Sequence, residues 1–281
     1  MSSTAIVLQT DWFVTVFVSL DDFCQMALKR RSGRGRPSAL SISEYLTIIL
    51  FKYSFRINDW FHTWKKLKIF HTREFPKLPA YQNFMCGIHQ CFPYLSILLQ
   101  FLMKISNTKP TNHAIVDSTP LLVCKNAWIK RSHVCEGYAK VGKNSEGWFY
   151  GFKAHAAINA EGDLLGLRFT PGNCDDRRPV RKLLKYFKGI CIADAGYIST
   201  TLKTLLKFDG IHFITQVKKN MKILATDEQI KYLYQRGYVE CIFSVLKDKW
   251  QLYSTKARSL TGYFINVLSC LFSYQFQRLF S

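Results

Sequence analysis

The sequence predicts an α/β chain in two parts: an all-helical, basic region over residues 1–108 and a mixed-sheet region over residues 109–281. Three observations predict it. Up to about Ser106 the apolar residues recur at helical spacing, with little of the alternation that marks strands. Past Ser106-Asn107-Thr108-Lys109-Pro110, strand-like and helix-like runs alternate instead. A chain of 281 residues that is 48% hydrophobic and 15% aromatic has material for packed cores, which excludes a disordered chain and leaves room for two domains.

In the first part, Asp21 or Asp22 is placed to cap a helix, and Ser41 with Glu44 forms a capping box ahead of the apolar run E-Y-L-T-I-I-L-F. Between them, K-R-R-S-G-R-G-R-P (Lys29 to Pro37) cannot continue a helix, because glycine and proline interrupt it. Two readings stand side by side: an extended segment whose Arg34 and Arg36 enter a narrow minor groove, or a solvated basic linker.

In the second part the strands are H-A-I-V-D-S-T, F-Y-G-F-K-A-H-A-A-I-N and D-L-L-G-L-R-F-T, followed by a helix around Pro179 to Phe187. Then come G-I-C-I-A-D, a helix near Thr200 to Phe208, I-H-F-I-T-Q-V and a closing helix. Turn residues at Asn159 to Asp163 allow the first three strands to run antiparallel, and the later ones alternate with helices as parallel crossovers require. Three antiparallel strands followed by β-α-β-α is the order of an RNase H-like fold. The uncharged stretch Ser259 to Gln277 is diluted by Thr261, Gly262, Asn266, Ser269, Ser273 and Gln275, so it reads as a packed terminal helix. The first twenty residues have no basic n-region, and Asp11 interrupts their apolar run, so no signal peptide is expected.

Charge points to the partner. There are 39 Lys plus Arg against 19 Asp plus Glu, a net +20 spread along the chain, which suits a polyanion and nucleic acid best. The nine cysteines are odd in number and have no C-x-x-C pair, as expected of reduced thiols in a cytoplasmic protein. Cys86, His89 and Cys91 lack the spacing of a structural zinc site and read as packing residues.

The acids carry the chemistry. Asp117 ends the apolar strand I-V-D and Asp194 ends C-I-A-D, and an acid at the end of a buried strand is costly unless paired or bound to a metal. Glu240 has Arg236 four residues before it and Lys247 seven after it, on one helical face. Each alone has an ordinary explanation as a turn former or a surface ion pair. Together, on a first strand, a fourth strand and a following helix, they make the oxygen-ligand set that two-metal phosphoryl transfer needs, with Mg²⁺ as the natural ion and Mn²⁺ an alternative. Asp175 and Asp176 compete for the second position, but preceding R-R-P-V-R-K-L-L they read as helix N-caps. Lys153 and His155 share one strand face, either as phosphate contacts or as a solvent-facing edge; Lys125, Lys130 and Arg131 offer phosphate contacts or mere solubility. Trp148 is a candidate for stacking on an unpaired base, although core packing is the commoner fate of tryptophan.

With these residues in hand, the second part resembles the DDE transposases of bacterial insertion sequences, members of the retroviral-integrase superfamily. The matching stretches are I-V-D-S, Y-G-F-K-A-H, T-P-G-N-C-D-D, A-D-A-G-Y and R-G-Y-V-E with Lys247 downstream. The resemblance implies a D-D-E triad of Asp117, Asp194 and Glu240, flanked by Arg236 and Lys247. It departs at the tyrosine such proteins carry three residues before the arginine: that place is Leu233 here, beside Tyr234. The function so implied is magnesium-dependent cleavage at insertion-sequence ends and strand transfer into target DNA, by a homodimer or larger assembly near the nucleoid. A DNA-binding protein without catalysis and a metal-dependent nuclease that does not join strands are the other readings.

Overall fold

A computed structural model of the chain describes residues 3–27, 38–111, 113–144, 147–216, 227–252 and 257–280. Arg34 and Arg36 lie outside the described residues. The chain divides into two compact units, residues 1–101 with 264–273, and residues 102–263 with 274–281.

The first unit holds α1 (Ser3–Ala27), α2 (Ile42–Ser54), α3 (Trp60–Phe70), α4 (Tyr81–Gln90) and most of α5 (Phe92–Thr108). The capping box forms as spelled: the Ser41 hydroxyl accepts from the Glu44 N–H at 3.1 Å, and Glu44 accepts from the Ser41 N–H at 2.6 Å. The cap expected at Asp21 or Asp22 does not, because α1 runs through both to Ala27; the Asp21 carboxylate instead accepts from the Ser43 hydroxyl at 2.6 Å. Phe13 sits against Phe51, His71 and Phe75 with ring centroids 4.7 to 5.2 Å apart, a buried aromatic node. From α10 (Leu260–Phe280), Asn266 accepts from the Trp60 indole through its side chain and from the Tyr53 hydroxyl through its carbonyl, both at 2.9 Å. No single helix among the described residues is long and apolar enough to cross a membrane.

The second unit is a mixed six-stranded sheet flanked by helices. Its strands are β1 (His113–Leu122), β2 (Lys140–Asn144), β3 (Gly147–Ile158), β4 (Leu164–Pro171), β5 (Gly189–Ala193) and β6 (Ile211–Thr215), in the order β2-β3-β1-β5-β6 with β4 also on β3. β1, β2 and β4 are antiparallel to β3, whereas β5 is parallel to both β1 and β6. The long β3 pairs with β1 on one edge; along the other it pairs with β2 up to Gly151 and with β4 from Phe152 onward. Where β2 and β4 meet, Gly142 and Gly172 touch so closely that a Cβ on Gly142 would stand 2.1 Å from the Gly172 carbonyl oxygen.

One sheet face is sealed by α6 (Val180–Leu183) and α7 (Thr200–Phe208), whose Val180, Leu183, Leu202 and Leu206 pack with Val116, Ala157 and Ala193. The helix expected around Pro179 to Phe187 is a single turn, because the chain bends at Leu184, whose carbonyl accepts from the Phe187 N–H at 3.0 Å, to enter β5. α8 (Asp227–Tyr234) and α9 (Gly237–Asp248) follow, and α9 buries Val239, Phe243 and Leu246 as it packs on β1. The last turns of α10 belong to this unit: Tyr274 donates to the Gly162 carbonyl at 2.7 Å, and Gln275 accepts from the Leu164 N–H at 2.8 Å. Beside them Asp163, 1% exposed, receives the Lys109 ammonium at 3.0 Å and faces the Arg278 guanidinium at 3.6 Å.

Candidate active site

The parallel register brings two of the acids together. Val116 pairs with Ala193, where the parallel contact of β1 with β5 stops, so Asp117 and Asp194 lie side by side; neighbouring strands run about 4.8 Å apart. Asp194 follows the end of β5, but Asp117 does not end its strand as the sequence suggests, because β3 keeps β1 paired as far as Leu122. α9 packs against β1 through its apolar face and brings Glu240 to the same cleft. All three carboxylates line one cleft of about 680 Å³.

Arg236 ties two of them. Its guanidinium lies 3.2 Å from Asp194 Oδ1 and 3.1 Å from Glu240 Oε1. The i,i+4 ion pair that makes the bland reading of this helix is therefore present, but its arginine also spans to the end of β5. Each carboxylate engages one oxygen: Asp117 Oδ1 accepts from the Ser118 N–H at 2.8 Å, Asp194 Oδ1 from the Ala195 N–H at 2.6 Å as well as Arg236, and Glu240 Oε1 from Arg236. The other oxygen of each has no protein partner among the described residues. Burial pushes the Asp117 carboxyl up to about 6; the Ser118 N–H and the Arg236 charge pull it down, while Asp194 and Glu240 push it further up. It is a carboxylate short of positive charge.

The rest of the cleft is mixed. Among the described residues, Lys143, Lys153, Arg236 and Lys247 line it with Asp117, Asp176, Asp194, Glu240 and Asp248, four cations against five carboxylates. In a chain of net charge +20, that local excess of acid is unusual enough to mark the place where added positive charge is wanted. Lys143 and Asn144, on β2, are site-lining residues that the sequence does not signal, and Asp176, which the sequence offers as a competitor for the second acid but reads as a cap, lines the cleft as well. Asp175 accepts from the Arg177 N–H and side chain, and Asp176 pairs with Lys153 at 2.9 Å, so neither caps α6, whose N-cap residue is Pro179.

Two expectations are corrected by burial. His155 is 1% exposed, its Nε2 is 2.8 Å from the Thr170 hydroxyl, and it presents no surface to a phosphate. Burial holds it down to about 4, and the partial compensation by Asp176 is opposed by Lys153. Trp148, by contrast, is 60% exposed, with the Lys143 ammonium 5.5 Å from its ring centroid, so core packing is not its role. Lys153 lines the cleft but is committed to Asp176 and to the Cys174 carbonyl at 3.0 Å. Lys125, Lys130 and Arg131 are exposed on the turn Asn126–Arg131 and its flank and do not line the cleft.

The donor chemistry fits a divalent cation of the Mg²⁺ class: oxygen ligands only, each with an oxygen to give. No group of three or more His, Cys, Asp or Glu among the described residues is gathered tightly enough to cage an ion, and the Arg236 guanidinium holds Asp194 and Glu240 in its place.

A sequence model of the transposase DDE domain family matches residues 107–260. The structure of a piggyBac transposase synaptic complex with hairpin DNA is similar in fold, with a TM-score of 0.52 over 93% of this chain and 72% of that one, at 13% sequence identity. No curated protein matches the sequence.

Proposed function

The chain belongs to the transposase DDE domain family, and from that premise we propose that it is an insertion-sequence transposase that cuts DNA at the element's ends and joins them to target DNA. In this reading the sheet is RNase H-like, Asp117, Asp194 and Glu240 are the catalytic triad, and residues 1–108 recognise the ends. The observation that carries it is the register of β1 on β5, which sets Asp117 beside Asp194 in the cleft that Glu240 also lines.

The free oxygens of the three carboxylates would hold Mg²⁺ or Mn²⁺, which when bound supplies Lewis-acid activation of the attacking oxygen and stabilises the leaving one. Asp117 sets the charge demand of the site through its burial. Arg236 aligns Asp194 and Glu240, and Lys247 and Lys143 hold phosphates of the strand at the cleft. Exposed Trp148 stands by Lys143, where an unpaired base can stack on it. Water and the 3′-hydroxyl use the same cleft in turn, so cutting and joining depend on one set of side chains. Two element ends imply an assembly of at least two copies on DNA.

The test is an end-cleavage and strand-transfer assay with Mg²⁺ or Mn²⁺, comparing wild type with Glu240→Gln. The proposal expects both activities in wild type and neither in the variant. Cleavage retained in the variant overturns the triad, and cleavage without joining in wild type assigns a nuclease.

A further inference from the structure

We propose that a second phosphate-binding surface, at the opposite end of the sheet from the carboxylate cleft, holds the backbone of duplex DNA that is not the strand being cut. A pocket of about 550 Å³ opens there, lined by Arg168, Arg181, Lys182, Lys185 and Lys188, with Asp209 the only acid among the described residues that line it. Five cations against one carboxylate leave a formal excess of four positive charges. Asp209 does not offset them freely: Arg181 binds it through two nitrogens at 2.7 and 3.0 Å, and the Lys188 ammonium donates to its backbone carbonyl.

The place of the pocket separates it from the catalytic cleft. Lys188 precedes β5 and Asp194 follows it, and a strand of five residues lies between them; at about 3.3 Å per residue that is roughly 20 Å. The two sites therefore meet different stretches of a bound nucleic acid. An inorganic ion needs one or two of these cations, whereas a row of them suits successive phosphates of a polymer. Aromatic surface adjoins the row: Tyr186 is 55% exposed, with the Lys185 and Lys104 ammonium groups 5.2 and 5.6 Å from its ring centroid. A basic surface with an exposed aromatic ring beside it fits a nucleic-acid backbone better than an acidic protein face, which offers fewer and less regular charges.

The inference rests on the reading of the chain as a DNA-acting enzyme, and its test separates the two. Lys182 and Lys185 are exposed and in no ion pair among the described residues, so Lys182→Gln with Lys185→Gln leaves folding intact. Binding of the full-length protein to a duplex of arbitrary sequence is measured across a salt series, for wild type, this double variant and Glu240→Gln. Each phosphate contact contributes about 0.9 to the slope of log affinity against log salt. The double variant is expected to lose about 1.8 of slope, while cleavage of a short duplex that only fills the catalytic cleft stays at the wild-type rate. Glu240→Gln is expected to lose cleavage and keep the slope.

An unchanged slope in the double variant, beside a wild type that binds and cleaves DNA, overturns this inference and leaves the transposase reading standing. A wild type that binds no duplex overturns both. Wild-type binding to phosphatidylcholine vesicles containing phosphatidylserine, lost in the double variant while its DNA slope is unchanged, assigns the pocket to a membrane surface and overturns the DNA assignment.

Discussion

The sheet unit contains two clusters of carboxylates and cations that are alike in composition and opposite in design. Around Asp163, one acid that is 1% exposed is faced by two cations, Lys109 and Arg278, and by the Asn159 amide, so charge is more than balanced and the carboxylate itself is shielded from water. In the cleft, Asp194 and Glu240 share the guanidinium of Arg236, which reaches buried Asp117 only through its charge, and Glu240 is 57% exposed. The first cluster has more cation than acid, although Asp163 Oδ1 is buried with Arg278 no nearer than 3.6 Å, and it fastens α10 to the turn before β4. The second is short of positive charge and open, and the shortfall is what makes it useful to an ion and a phosphate.

The comparison is broken most sharply by exchanging its arms. Glu240→Gln is expected to lower end cleavage by at least about a thousandfold, since the ligand contributes several kcal/mol of transition-state stabilisation, while its urea midpoint stays near wild type because the side chain is open to water. A large loss of stability would place Glu240 with Asp163 instead.

Acidification should reveal the buried base beside the cleft. His155 is held down to about 4 when folded, against 6.5 for the unperturbed group. Between those values the unfolded chain binds more protons, so stability is complete above the upper value and is lost as pH falls toward the lower, by about 3 kcal/mol in all. His155→Gln keeps a donor and acceptor for Thr170 and should flatten urea stability across that window; an unaltered profile would mean the ring is protonated in place.

Asp163→Ala is expected to cost about 2 to 3 kcal/mol by urea denaturation. The cost falls below that of a fully buried pair because Lys109 and Arg278, 43% and 41% exposed, can return to solvent. Cleavage per folded molecule should be unchanged. The smallest effect belongs to Arg236→Ala, which frees two carboxylates from half-open pairs. Calorimetric Mn²⁺ affinity should rise about fivefold, matching roughly 1 kcal/mol for the two contacts, even as cleavage falls. Weaker Mn²⁺ binding would show that the guanidinium organises the ligands more than it competes for them.

What was legible in the sequence followed from contiguity. β1 and β3 to β6 are apolar or alternating runs that announce themselves, and an acid directly after an apolar run stands out, as Asp117 and Asp194 do; at Asp194 it marks the strand end, whereas at Asp117 it marks where β5 stops pairing while β1 runs on to Leu122. β2, Lys-Val-Gly-Lys-Asn, has one aliphatic side chain and becomes a strand only because β3 offers it an edge, so Lys143 and Asn144 stayed hidden in what reads as a loop. Asp176 was hidden differently: the acids before a basic helix read as caps, and only tertiary structure brings Lys153 within 2.9 Å of it. His155 alternates with the apolar residues of β3, but which face of a strand is covered depends on helices far along the chain.

The contact between Gly142 and Gly172 has a consequence of a mechanical kind. β2 carries Lys143 and Asn144 to the rim of the cleft, and its height along β3 is set by two backbones meeting without a side chain between them. The rim is thus gauged by a stop, not by an attraction. A methyl group added at residue 142 would change no charge and remove no hydrogen-bonding side chain, yet it would wedge the strand outward and widen the jaw into which the DNA must fit.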